Sequence, residues 1–138
     1  MGDELPSADA LRAEHARLER TLKRMEELAR QLGRDEGFDD FDRLAQVLKS
    51  DMDAHFPTQE KLARAIFDAD DESLAGLCQQ NQDLTTHHRT LLAMIQDVRD
   101  DMPVDREHFM ATARGVLTQL RAHIEAEKRL LLPRLDEG

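Results

Sequence analysis

The chain has no tryptophan, no tyrosine and a single cysteine, Cys78. One cysteine excludes an intrachain disulfide and fits a reducing compartment. A chain of 138 residues is long enough to bury a core without such staples. No apolar run approaches the roughly 20 residues needed to cross a bilayer. Met1 to Ser7 is acidic and has no apolar signal-peptide core. Cationic residues are outnumbered, with 19 Lys plus Arg against 29 Asp plus Glu and a net charge of −10. A surface of that sign argues against nucleic acid or an anionic membrane as partner. Few residues are aromatic or β-branched, which disfavours sheet, while Leu, Ala, Arg, Glu and Gln favour helix. The expectation is a cytoplasmic, all-α single domain spanning 1–138, a monomer or weak homo-oligomer. Nothing in the sequence names a protein partner.

What is present is periodicity. Leu11, His15, Leu18, Leu22, Met25, Ala29 and Leu32 follow one another in steps of three and four, one face of a long helix. Phe41, Leu44, Leu48, Met52, His55, Gln59, Leu62 and Ile66 form a second stripe. A third runs through Leu74, Leu77, Asn81, Leu84, His88, Leu91, Ile95 and Val98, and a fourth through Phe109, Ala113, Val116, Leu120, His123, Glu127 and Leu130. Ser7 reads as an N-cap, Gly33 as a left-handed helix stop, and Asp100 to Pro103 as a stop and restart. Pro133 is expected to end the last helix. Helices at about 8–33, 39–69, 72–100 and 104–133 make an up-down-up-down antiparallel four-helix bundle. The halves repeat weakly. His15, Leu18 and Leu22 share offsets with His88, Leu91 and Ile95, and His55, Gln59 and Leu62 share them with His123, Glu127 and Leu130.

Each stripe carries a histidine. One imidazole in an apolar stripe is most simply a satisfied core residue, but one in every stripe asks for a common partner, because each is costly to bury alone. A metal ion is such a partner for neutral imidazole. In an antiparallel bundle His15, His55, His88 and His123 can converge on one layer. Glu127 lies four residues after His123 on the same face and within the apolar stripe, where an unpaired carboxylate would be expensive. His87 falls close to the same face as His88, so either can be the third-helix ligand.

These residues resemble the hemerythrin-like family, also called the HHE cation-binding domain. The resemblance runs from about Leu11 to Leu135 through "EHARLERTL" (14–22), "HFPTQEKLARAIF" (55–67), "HHRTLLAMI" (87–95) and "HIEAEKRLLLPRL" (123–135). It implies a metal site in the bundle core holding two oxygen-bridged non-haem iron ions. His15, His55, His88 and His123 would be ligands and Glu127 a bridging carboxylate. Gln59 stands where the family pattern carries the other bridging carboxylate, which leaves a single iron as the alternative. Pro57 could introduce a one-residue bulge that turns Glu60 inward in place of Gln59. The function expected is that of an iron protein that binds or senses a small diatomic ligand (O2 or NO) or peroxide, or handles iron. The alternatives are an iron-dependent enzyme that removes peroxide or NO or repairs iron centres, and a metal-free helical interaction module.

Overall fold

The computed structural model describes residues 7–32 and 37–136. Four long helices, α1 (Ala8–Leu32), α2 (Phe38–Ile66), α3 (Glu72–Arg99) and α4 (Arg106–Leu130), are followed by a short α5 (Leu132–Asp136). Each long helix packs on the one before it, and α4 closes the bundle against α1. No strand occurs among the described residues.

The helix starts follow from side-chain chemistry. The Ser7 hydroxyl oxygen accepts the Ala10 N–H at 3.0 Å. Asp71 accepts the Ser73 N–H at 2.8 Å and Asp105 the Glu107 N–H at 3.0 Å, so part of the acidic character caps helices. The expected stop at Gly33 lies outside the described residues. Asp101, with φ 56°, turns the chain out of α3. Pro133 does not end α4. The helix stops at Leu130, and Pro133 is the second residue of α5, a first-turn position where its missing N–H costs nothing.

Gly37 opens α2 at φ 80°. A Cβ there would lie 3.1 Å from Leu28 Cδ2 and 3.2 Å from Gln31 Oε1. Gly37→Ala is therefore expected to cost about 1–2 kcal/mol for the left-handed backbone alone. Denaturant titration should show a lower midpoint with an unchanged slope. A midpoint equal to the parent's would contradict the assignment.

The core is in two parts. A large cluster from Leu18, Leu22 and Met25 across to Leu84, Leu91, Phe109 and Leu120 fills most of the bundle. A smaller one, Leu11, Leu62, Ala63, Phe67, Leu74, Leu77 and Leu131, fills the end where α1 begins and α2 stops. Between them lies a layer of polar side chains: His15, His55, Gln59, Asn81, His123 and Glu127, none more than 3% exposed. In each helix the apolar stripe is interrupted at this level. His15 lies between Leu11 and Leu18, Gln59 between Phe56 and Leu62, Asn81 between Leu77 and Leu84, and Glu127 between Ile124 and Leu131.

Candidate metal centre

Glu127 is the hub of the polar layer. Its Oε2 lies 2.6 Å from His15 Nε2 and 2.7 Å from His55 Nε2. Its Oε1 lies 2.9 Å from His123 Nε2, one turn back on α4, but in an alignment too poor for a hydrogen bond. The rings of His15 and His55 meet edge to face with centroids 5.4 Å apart. One ligating atom from each of His15, His55 and Glu127 lies within 4.8 Å of the other two.

The outward nitrogens decide what the inward ones can do. His55 Nδ1 lies 3.0 Å from Glu14 Oε1, and His123 Nδ1 lies 2.6 Å from Gln80 Oε1. A carboxylate and an amide oxygen only accept, so both Nδ1 atoms carry the proton and donate. A neutral ring then presents a bare lone pair at Nε2. At His55 that lone pair faces a carboxylate oxygen at 2.7 Å, and at His123 another at 2.9 Å. Two acceptors at such distances need a positive charge between them, either a proton or a metal ion.

In the metal-free chain a proton takes that role at His55. Burial by itself would lower the His55 pKa, but the hydrogen bonds and charges of Glu127 and Glu14 outweigh it, and the ring is held above its usual value. Burial by itself would raise Glu127, but the imidazoles of His123, His15 and His55 around it hold its carboxyl far below the usual carboxylate range.

The structure separates the other candidates from this layer. His88 is buried, but its Nε2 donates to the Ala45 carbonyl at 2.9 Å. Ala45 precedes His55 by ten residues, roughly 15 Å of helix rise. Burial holds the His88 ring below its usual pKa, partly offset by that carbonyl, so it is a neutral core residue anchored to α2. His87 is exposed, with Nδ1 2.7 Å from Gln119 Oε1. Neither reaches the centre; the third helix presents Asn81 there instead. The bulge expected at Pro57 does not form either. α2 is α-helical throughout, and its buried face steps through Met52, His55, Phe56, Gln59 and Leu62 without a slip. Gln59 stays inside and Glu60 remains half-buried. Asn81 Nδ2 donates to both, to Gln59 Oε1 at 2.6 Å and to Glu60 Oε1 at 3.0 Å.

Glu14, Gln80 and Asn81 were not foreseen as members of the site. Asn81 left a signal, since it is the one polar residue in its stripe besides His88. Glu14 and Gln80 sit off the stripes and are recognisable only from the rings they orient.

The layer is a candidate cation site. Three imidazoles and one carboxylate converge, and two of the rings are aimed by outer partners, an arrangement common around protein metals. Two histidines with a carboxylate is the donor set of many non-haem ferrous sites. Beside it Gln59 and Asn81 offer only neutral amides, hydrogen-bonded to each other.

A family model described as the hemerythrin HHE cation-binding domain matches residues 7–135. No curated protein and no solved structure gives a significant match.

Proposed function

The chain belongs to the hemerythrin HHE cation-binding family, and from that premise we propose that it holds one non-haem iron ion on His15, His55, His123 and Glu127 and uses it to bind or sense a small molecule such as O2, NO or peroxide. The observation that carries this reading is the pair of imidazole Nε2 atoms aimed at one buried carboxylate with their Nδ1 protons already committed to Glu14 and Gln80. Ferrous iron in such a set supplies an open coordination position and electrons for a small ligand. The chain itself supplies the rest. Glu127 offsets the charge of the ion, Glu14 and Gln80 fix two of the rings, and the two apolar clusters keep bulk water from the layer.

A metal-free helical module is disfavoured by the same layer. A core selected only for packing gains nothing from burying three imidazoles and a carboxylate between two apolar clusters.

Metal analysis and absorption spectra of protein from iron-replete cells test the reading. About one iron per chain is expected, as the donor count requires. Gln59→Glu, which restores a second carboxylate, should move the ratio toward two. Protein carrying no metal would overturn the proposal. Two irons in the unaltered chain would overturn the single-ion part of it. Stoichiometric uptake of NO supports a binding role, whereas turnover of added peroxide would make the protein an enzyme.

A further inference from the structure

A groove of about 520 Å³ runs between α2 and α3 on one side of the bundle. Two of its lining residues also belong to the surroundings of the centre. Asn81 hydrogen-bonds to Gln59 within the polar layer. Phe56, 7% exposed, places its ring 5.6 Å from that of His123, edge to face, and 6.1 Å from that of His55. One aromatic side chain thus stands with the groove on one side and two of the inward-facing histidines on the other.

We propose that small uncharged ligands reach the centre through this α2–α3 groove, with the Phe56 ring as the plug that closes it. The inference rests on the metal reading for its purpose, but the path itself is a property of the chain. Three features set its character. Pro57, on the groove wall, has no N–H, so the Asp53 carbonyl lacks its usual helical donor and local opening of α2 beside Phe56 costs less. The plug and its neighbour Met52 are apolar, which excludes ions from the last step. At the rim Asp53 and Glu60 stand against Arg89 and against Lys49, which pairs with Asp53 at 2.6 Å, so the entrance is close to neutral and steers neither sign of charge. Diatomic gases and hydrogen peroxide pass the apolar plug, whereas azide and other anions are slowed by it.

The test uses two readouts, one without metal. In the metal-free chain, diethyl pyrocarbonate modification is followed residue by residue by peptide mass mapping. Phe56→Ala should raise the modification rates of His55 and His123 by about tenfold or more, equivalent to about 1.4 kcal/mol in barrier. His88, equally buried but bordering the other end of the groove through the pocket of Met52, Thr85 and Arg89, should change far less. Thr85→Trp, which fills the groove from its half-buried rim, should slow the same two histidines and is far less of a burden on folding. In the iron-loaded chain, stopped-flow NO binding should show association and dissociation rising together in Phe56→Ala with an unchanged Kd. The proposal is overturned if His88 accelerates as much as His55 and His123, since that reports general loosening. It also fails if neither variant alters access, or if Kd shifts while the association rate stays put. Failure to bind iron would sink the metal reading alone, because the modification experiment still decides the path.

Discussion

Glu127→Gln is expected to weaken metal binding by more than about 100-fold, the upper range of what losing an outer partner alone costs. The substitution keeps the size of the side chain and removes the one negative charge in the layer. Two of its effects run in the same direction. The amide oxygen is a poorer donor to the ion, and nothing remains to balance the charge of a buried cation. The metal-free variant is also expected to be less stable near pH 6, by up to about 3–5 kcal/mol, because His55 loses the charged partner that holds its proton. At pH 8 that penalty shrinks, because the ring can shed the proton. Competition with a coloured chelator measures the first effect, and thermal unfolding at the two pH values measures the second. A variant that binds metal within a few-fold of the parent would remove Glu127 from the site. His88→Gln is the control. With its ring tied to the Ala45 carbonyl, it should leave metal affinity unchanged.

Adding metal is expected to raise the melting temperature by roughly 12 °C when the free ion is about 1,000 times its Kd, about 4 kcal/mol spread over a domain of this size. The gain should grow with pH between 6 and 8. The sign follows from the two groups that share the layer. His55 is held above its usual value, so its contribution to the metal-free fold is present below pH about 6.5 and is lost as pH rises through the folded value. Glu127 is held below its usual value, so its contribution is present above pH about 4.3 and is lost only in stronger acid. The metal-free protein therefore loses stability from this pair as pH rises from 6 to 8. Metal binding must displace the same proton and strengthens over that interval. Calorimetry with and without metal at pH 6 and pH 8 gives the gap directly. A gap that narrows with rising pH would contradict the proton–metal exchange. Titration in buffers of different ionisation enthalpy should show protons released on binding.

The bundle was legible because its apolar stripes are long and keep step. His15, His55, His123 and Glu127 were legible because polar residues in such stripes are conspicuous. The third helix was not, and the reason is periodic. His15, Leu18 and Leu22 stand at offsets of zero, three and seven, and so do His88, Leu91 and Ile95. The same offsets also fit Asn81, Leu84 and His88. A shift of seven residues is two turns and leaves the buried face unchanged, while it moves a side chain about 10 Å along the axis. Sequence spacing therefore identified the correct face of α3 at the wrong height. Asn81 lies level with His15, and His88 takes the place that Leu22 holds on α1. The reading of Pro57 erred differently. A proline inside a helix permits a bulge but does not demand one, and the unbroken packing of Phe56, Gln59 and Leu62 outweighs one missing hydrogen bond. Glu14 and Gln80 had no local signature, because their contribution exists only once separate helices meet.

The division of the core by a polar layer has a mechanical meaning. The end of the bundle beyond the layer, with Leu11, Phe67, Leu74 and Leu131, shares little greasy contact with the larger part. Across that seam the two blocks are joined chiefly by the four helix backbones and by the contacts that meet at Glu127. An ion seated there would act as a rivet through the fault line. Its removal is expected to loosen the terminal block, α5 included, more than the larger part.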